Sequence, residues 1–203
     1  MSMGIGVATK LDDVVGGTNG IYQSYQKKSF YAVGRFWFFY CEHLHAWYRT
    51  SIDGVIWSDA IQVTTWAWVG GGRRFSVFFD GEYMHYVSTS EGDWLRYRRG
   101  LVNRDGTIAW SQPEQTVITI AGQNFMYPTI AVDTDGYAFI GYNRNIAMAH
   151  TPWLIKNANN DGTWATDWNV QLNAGAHGSW TATVVQLIAL RMYVVYAKGE
   201  FRP

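Results

Sequence analysis

Four side chains suited to holding a sugar recur at equivalent points of the sequence. Tyr25, Arg74, Tyr127 and Trp180 each lie in a segment just before the first predicted strand of a repeated unit. Aromatic rings stack on apolar ligand faces, and arginine binds hydroxyl and carboxylate groups. If the four segments converge, these residues form a candidate rim for a sugar or another planar polar ligand. The alternative is that the same side chains fill the interior of a narrow channel.

Metal and phosphate chemistry find less support. His43 and His45 alternate onto one face of a predicted hairpin and His85 takes the matching place in the next unit, but zinc needs three or four convergent ligands. The amides and carboxylate of residues 157–161 could hold calcium, although a solvated loop explains them as well. Gly70-Gly71-Gly72 lacks the Lys-Ser/Thr of a phosphate-binding loop. We therefore predict no metal site and no cofactor.

Composition narrows the choice of partners. The 203 residues are 48% hydrophobic and 16% charged, as expected for one folded domain over residues 1–203. Sixteen basic residues balance sixteen acidic ones, so there is no electrostatic reason to expect nucleic-acid or acidic-membrane binding. A single cysteine, Cys41, excludes an intrachain disulfide. No membrane-spanning run and no signal peptide are visible, so the compartment stays open.

The elements that must position the rim are short aromatic strands. Aromatic-rich runs recur with a period of about 50 residues, which is typical of repeat architectures. Each follows a partner run and a tight turn such as Asp80-Gly81, so every unit is predicted to begin with a hairpin. A third strand follows in three units, at His45 to Thr50, Trp94 to Arg99 and Asn145 to His150. The four aromatic runs are Phe36 to Tyr40, Tyr83 to Val87, Tyr137 to Tyr142 and Met192 to Tyr196.

No helix longer than one turn is expected, because no segment keeps apolar residues at helical spacing over three turns. The stretch from Met148 to Ala165 is the most ambiguous. Pro152 and the run from Asn157 to Gly162 favour a loop there.

A turn with a downstream tryptophan closes the third strand of three units. An aspartate in such a turn accepts hydrogen bonds from backbone N–H groups, the following glycine adopts positive φ, and the tryptophan packs back over the hairpin. The residues are Ser51, Asp53, Gly54 and Trp57, then Asp105, Gly106 and Trp110, then Asp161 and Gly162 with Trp164 and Trp168 beyond.

These turns resemble the Asp-boxes, or BNR repeats, of sialidases and of the wider family of sialidase-like β-propellers. The first copy matches the short form well; Asn103 replaces serine in the second, and the tryptophan spacing drifts in the third. The resemblance implies an all-β propeller in which the boxes are structural and lie away from the active site. In a propeller, ligands usually bind where the segments entering the innermost strands converge, which is where the candidate rim lies.

The repeats, roughly 29–66, 74–120, 128–173 and 181–203 with 1–25, predict about four blades. An N-terminal strand at Ile5 to Lys10 or Ile21 to Tyr25 would complete the last blade and remove an open edge. Three other arrangements stay open: a fragment of a larger ring, an open partial propeller, and a protomer that completes itself by association.

The residues that a sialidase would need are not in place. Arg96, Arg98 and Arg99 lie on one predicted strand instead of converging, and Phe201-Arg202-Pro203 is an incomplete echo of the family's arginine motif at the wrong end of the chain. The aspartates belong to turns, so no acid and nucleophile pair stands out. We predict a non-catalytic module that binds a glycan or a partner protein. The alternatives are a structural, self-associating subunit of an extracellular or virus-like assembly, and a glycoside hydrolase; fold analogy suggests an extracellular or virion-associated protein.

Overall fold

The described part of the chain consists of antiparallel β-strands. The computed structural model describes residues 20–21, 24–42, 44–64, 71–89, 93–146, 149–172, 182–187 and 191–196. The helical structure among these residues is one 3₁₀ turn, Gly72–Arg74. The predicted all-β class is therefore confirmed. The strands are β1 (Ser29–Ala32), β2 (Arg35–Glu42), β3 (His45–Ser51), β4 (Ile61–Gln62), β5 (Phe75–Phe79), β6 (Tyr83–Thr89), β7 (Trp94–Val102), β8 (Ile108–Trp110), β9 (Gln115–Thr119), β10 (Asn124–Val132), β11 (Ala138–Ile146), β12 (Ala149–Asn157), β13 (Thr166–Gln171), β14 (Ala182–Gln186) and β15 (Met192–Tyr196).

The strands form four sheets that follow the order of the chain. Sheet 1 is β1-β2-β3-β4, and sheet 2 is β5-β6-β7-β8 with β9 also paired to β7. Sheet 3 is β10-β11-β12-β13, and sheet 4 is the pair β14-β15. The first strands are neighbours in sequence order, because β5 contacts both β1 and β10, and β10 contacts β14. A closed ring of four blades stays a prediction.

The aromatic runs form the core between successive sheets. Trp37 and Phe39 of sheet 1 and Phe75 and Tyr86 of sheet 2 are fully buried in one cluster. A second cluster joins sheets 2, 3 and 4 through side chains that include Tyr97, Ile140 and Val184. The aromatic residues from which the strands were predicted are thus buried between one sheet and the next. Burial of this apolar surface is the main source of stability for stacked sheets.

The third strand of sheet 3 differs from its prediction. We expected it at Asn145 to His150 and expected a loop from Met148 to Ala165, but β12 runs from Ala149 to Asn157 and includes Pro152. The Pro152 carbonyl accepts a hydrogen bond from the N–H of Leu172 (2.9 Å). The N–H and C=O of one strand residue point to the same side, so the donor that proline lacks faces the end of β13, where the ladder stops. A proline is therefore tolerated in this strand.

The N-terminal strands remain largely outside the described residues. Ile5 to Lys10 lies in the part of the chain that is not described. Of the second predicted strand, Ile21 to Tyr25, residues 21, 24 and 25 form a bend and a turn. Gly20 nevertheless contacts sheet 1, because its carbonyl accepts the N–H of Cys41 (2.9 Å).

Candidate functional site

The predicted rim lies where the chain enters the first strands of sheets 1 to 3. Tyr25 precedes β1, and Arg74 ends the 3₁₀ turn that precedes β5. Tyr127 lies inside β10, at an irregularity of the register between Met126 and Thr129. The fourth predicted residue, Trp180, lies outside the described residues.

One buried amide connects the three entry segments. The Gln26 Nε2 atom donates to the carbonyl of Arg73 (2.9 Å) and to the carbonyl of Pro128 (2.9 Å). The side chain is only 4% exposed. Because buried carbonyls need partners, these two bonds hold the segments before β5 and within β10 at fixed positions relative to the segment before β1. This role could not be predicted from the sequence, because Gln26 lies in a polar stretch typical of a surface loop.

A buried lysine sets the orientation of that amide. Lys28 Nζ donates to Gln26 Oε1 (3.2 Å) and to the carbonyl of Phe75, and it lies 3.4 Å from the centroid of the Phe75 ring. Burial lowers the pKa of Lys28 well below its ordinary value. Since Gln26 Oε1 accepts from Lys28, Nε2 is left to donate to the two carbonyls.

Arg74 lies beneath the rim. Its side chain is 2% exposed, and Nη1 donates to Asn124 Oδ1 (3.1 Å) and to the carbonyl of Phe125 (2.9 Å). It therefore ties sheet 2 to the start of β10 and fixes the orientation of the Asn124 side chain. The sequence left two roles open for Arg74, ligand contact and filling of the interior, and the structure places it in the interior.

Tyr127 has a strained backbone. Its φ angle is +54°, in the left-handed region that residues with a Cβ atom rarely adopt. The conformation costs about 1–2 kcal/mol relative to ordinary strand geometry. The register irregularity of β10 and the bond from Gln26 to Pro128 hold the backbone in this state.

Tyr25 and Tyr127 lie close to each other. Both side chains are partly exposed. Burial raises the pKa of the Tyr25 phenol, and the neighbouring Tyr127 raises it further. Two of the four predicted rim residues therefore lie near enough to influence each other electrostatically.

An arginine stacked on a tryptophan extends the same end of sheet 3. The Arg144 guanidinium lies 4.7 Å from the centroid of the Trp153 ring, and its Nε donates to Gln123 Oε1. Phe125, near the start of β10, pairs with Arg144 in the sheet register. Sequence reasoning missed this pair because its members are on different strands.

The first Asp turn has the predicted hydrogen bonds. Asp53 Oδ1 accepts the N–H groups of Val55 (2.8 Å) and Ile56 (2.9 Å), and it also accepts the Ser51 hydroxyl (2.9 Å). The backbone bonds from Ile56 and Val55, then the Ser51 hydroxyl, lower the pKa of Asp53. Gly54 has φ +75°.

The other two turns share this geometry. Asp105 Oδ1 accepts the N–H (2.9 Å) and the hydroxyl (2.7 Å) of Thr107, and Asp161 Oδ1 does the same with Thr163 (2.8 and 2.6 Å). Gly106 and Gly162 both have positive φ. The tryptophans pack nearby: Trp57 lies edge-on to Phe38, Trp110 lies under Arg98, and Trp164 contacts the Tyr97 ring.

The second and third turns dock against the preceding sheet. Arg35 Nε of sheet 1 donates to the carbonyl of Arg104 (2.6 Å), and Arg99 Nη1 of sheet 2 donates to the carbonyl of Asn160 (2.5 Å). The acceptor is in both cases the residue before the turn aspartate. A Cβ atom on Gly106 would lie 2.7 Å from Thr50 Oγ1, so the turn packs closely on sheet 1.

The hairpin turns between β5 and β6 and between β10 and β11 lie at the end of the strands opposite to the rim, and each contains an aspartate that is hydrogen-bonded within its own turn. Asp80 accepts the N–H groups of Glu82 (2.8 Å) and Tyr83 (2.7 Å), and Asp133 accepts those of Asp135 (3.1 Å) and Tyr137 (2.9 Å). A groove of about 440 Å³ lies between these turns. Asp80 and Asp133, two of the residues that line it, are hydrogen-bonded to the backbone of their own turns.

A buried histidine adds a network that the sequence did not reveal. His85 is fully buried, and its ring nitrogens lie 2.8 Å from Asp80 Oδ2 and 2.9 Å from the Tyr97 hydroxyl. Burial lowers the pKa of His85, opposed by the bond to Asp80. Burial would raise the pKa of Asp80, but hydrogen bonds from His85 and the turn lower it overall.

Two further findings concern the described residues only. No group of three or more histidine, cysteine, aspartate or glutamate side chains in them is arranged to hold a metal ion. No helix in the same residues is long and apolar enough to cross a membrane.

Comparison with known proteins gives little beyond this geometry. No family model matches the sequence, and no curated protein matches it. Among solved structures, the chain is similar to an endo-arabinase from Bacteroides thetaiotaomicron VPI-5482, with 11% sequence identity and a TM-score of 0.39. The match covers 88% of this chain and 91% of that chain. A likeness of this degree says nothing about a ligand.

Proposed function

We propose that this chain is a non-catalytic glycan-binding module of the Asp-box propeller type. The proposed binding end is the rim of Tyr25, Tyr127 and Trp180, with the buried Arg74 beneath it holding Asn124 in place. The observation that carries the proposal is the strained backbone of Tyr127 beside Tyr25.

The strained backbone of Tyr127 indicates a role for its side chain, because glycine at this position would remove the strain. Glycine adopts positive φ without steric cost, whereas Tyr127 holds an aromatic ring there at φ +54°. Residues in sparsely populated backbone regions concentrate at binding sites, where the surrounding structure holds them in place. Here the bond from Gln26 to the Pro128 carbonyl supplies part of that support.

The chemistry of the rim suits a sugar. The rings of Tyr25, Tyr127 and Trp153 offer apolar faces for stacking on sugar C–H groups. Asn124 and Arg144 add an amide and a guanidinium, which bind hydroxyl groups. The buried Gln26 network fixes three entry segments before a ligand arrives, which reduces the entropy lost on binding.

The positions of the carboxylates favour binding without hydrolysis. Glycoside hydrolysis uses two carboxyl groups about 5–10 Å apart on either side of the scissile bond. Asp53, Asp80, Asp105 and Asp133 instead accept turn hydrogen bonds at the end of the strands away from the rim. At the rim end, Asp93 accepts the N–H of Gly122 and Glu114 accepts the Ser88 hydroxyl, so protein donors hold these two carboxylates as well.

The test is a binding screen with the intact chain against immobilised neutral and acidic oligosaccharides, followed by calorimetric titration of any that bind. Tyr127→Gly should weaken binding by about tenfold or more, which corresponds to the loss of one stacked ring. Its free energy of unfolding should stay within about 1 kcal/mol of the wild type, because glycine relieves the strained φ angle.

Tyr31→Ala is the matched control. Tyr31 is 60% exposed at the hairpin end of sheet 1, so its loss should leave sugar affinity unchanged. The proposal fails if the wild-type chain binds no oligosaccharide, or if Tyr127→Gly binds one as tightly as the wild type does. If the chain binds a protein but no oligosaccharide, the ligand is a partner protein, the other class that the sequence analysis predicts.

A further inference from the structure

Turn 51–57 lacks the contact that its two counterparts make with a preceding sheet. In the second and third turns, the carbonyl before the aspartate accepts an arginine of the preceding sheet. In turn 51–57 that position is Ile52, which is 68% exposed, and the nearby Ile56 is 77% exposed. A Cβ atom on Gly54 would meet only the Phe36 ring of its own sheet, at 3.7 Å. No sheet precedes sheet 1 among the described residues.

The same side of sheet 1 is apolar beyond the turn. Tyr31 pairs with Phe36 across β1 and β2, and their rings form an edge-on contact with centroids 5.0 Å apart. They are 60% and 42% exposed. We call the surface formed by Tyr31, Phe36, Ile52 and Ile56 the leading face. Monomeric proteins rarely leave such contiguous apolar surface open unless it binds something.

Sheet 4 has an exposed apolar surface on the side that faces away from sheet 3. Val185 pairs with Tyr193 and Thr183 with Val195, so these side chains share one side of the sheet. The other side carries Val184, which is buried against sheet 3. Val185, Tyr193 and Val195 are between 43% and 57% exposed. We call the surface formed by these three residues and Arg191 the trailing face.

Arg191 gives the trailing face the donor that a docking turn needs. It is exposed just before β15. Arg35 begins β2 in sheet 1, the equivalent place in the repeat, and donates to the carbonyl of Arg104 in the next turn. The trailing face therefore carries an arginine in the place from which Arg35 of sheet 1 donates to the second turn. The leading face carries a turn of the same kind, with its carbonyl at Ile52. Both faces are exposed in one molecule, so neither covers the other.

We propose that the leading face of one copy of this chain docks against the trailing face of a second copy, with Arg191 of the second copy donating to the Ile52 carbonyl. This contact between two molecules has the same arrangement as the packing of sheet 1 on sheet 2 and of sheet 2 on sheet 3 within one molecule. A net charge of zero removes long-range repulsion between the copies. Because the two faces differ, the association is head to tail.

The test measures the solution mass of the intact chain by light scattering over a range of concentrations. The wild type should form species at multiples of 23.1 kDa. Ile56→Asp and Tyr193→Asp should each be monomeric, whereas an equimolar mixture of the two should form a species of two chains, since each variant keeps one intact face. Arg191→Ala should raise the dissociation constant about tenfold through the loss of a charge-assisted hydrogen bond.

Ile61→Asp is the matched control, because Ile61 is an exposed isoleucine on β4 outside both faces, and it should associate like the wild type. Circular dichroism must show that all variants are folded. A wild type that is monomeric at every concentration overturns the proposal and indicates a chain that does not need a partner. So does a mixture that stays monomeric, or Tyr193→Asp that still associates, because either result excludes the head-to-tail contact.

Discussion

Among the residues that the structure describes, two that carry a Cβ atom have positive φ angles, and they lie at opposite ends of the strands. Tyr127 has φ +54° at the rim, and Val33 has φ +49° in the turn between β1 and β2. The proposed sugar site accounts for the first, since that site uses the ring that this backbone holds. Val33 has no such explanation in its turn, and a β-branched residue is among the least suited to this conformation.

Val33→Asn should therefore stabilise the protein by about 1 kcal/mol. Val33 and Gly34 form a two-residue hairpin loop in which both φ angles are positive, and asparagine followed by glycine is the preferred pair for that loop. Urea unfolding measures the change. Val195→Asn, a matched exposed valine within a strand, should not stabilise. A Val33→Asn protein that is less stable than the wild type would show that the valine side chain contributes more than its backbone costs.

Local hydrogen bonds could be predicted from the sequence, and long-range ones could not. The bonds of Asp53 and Asp105 span two or three residues, so the order of residue types in the turn was enough to predict them. Gln26 binds carbonyls 47 and 102 residues away. Nothing in its neighbours encodes those partners, and the burial of Arg74 depends on the same convergence of segments.

At the scale of elements, strand positions followed from aromatic runs and turns. Met192 to Tyr196 was predicted with the bounds that the structure has, and the predicted run from Tyr83 to Val87 lies within β6. The third strand of sheet 3 was placed too early because Pro152 and the polar residues around Asn157 resemble a loop. The register decides this case, since the donor that Pro152 lacks faces the end of β13, and that register depends on pairing with Asn143 and neighbouring residues of β11.

Close packing between sheets 3 and 4 predicts a sensitive glycine. A Cβ atom on Gly141 of β11 would overlap the carbonyl oxygen of Ala182 and lie 2.9 Å from Thr129 Oγ1. That hydroxyl donates to the same carbonyl (2.7 Å) and connects β10 to β14. Gly141→Ala should lower the free energy of unfolding by about 1–3 kcal/mol, because the added methyl forces the strands apart.

Thermal or urea unfolding measures this loss, and Ala109→Val is the control. Ala109 is exposed on β8, so extra methyl groups there should change stability by less than about 0.5 kcal/mol. If Gly141→Ala is as stable as the wild type, β14 does not pack on β11 as closely as described, and the trailing face of sheet 4 would need to be reconsidered.

At the scale of the whole molecule, buried ionisable side chains determine how stability depends on pH. Burial lowers the pKa of Lys28 from 10.5 and that of His85 from 6.5. The unfolded chain therefore binds more protons than the folded one in the pH range between each lowered pKa and its ordinary value, which is 10.5 for Lys28 and 6.5 for His85. The free energy of unfolding rises with pH through both windows. Burial raises the pKa of Tyr48 and Tyr142 to about 12, so their contribution is complete below pH 10 and is lost between pH 10 and 12.

We therefore expect maximal stability between about pH 8 and 10, on the alkaline side of the range usual for proteins. Urea unfolding from pH 5 to 11 measures the profile. Lys28→Met should flatten the rise between pH 7 and 10, because the group whose pKa is lowered is gone. That slope is a better readout than stability at one pH, since the variant also leaves Gln26 Oε1 without its Lys28 donor.

Lys156→Met, which removes a partly exposed lysine paired with Asp167, should keep the slope of the wild type. A maximum between pH 5 and 7, or an unchanged slope in Lys28→Met, would mean that Lys28 is not buried as the structure has it, and the support that it gives to the rim through Gln26 would no longer hold.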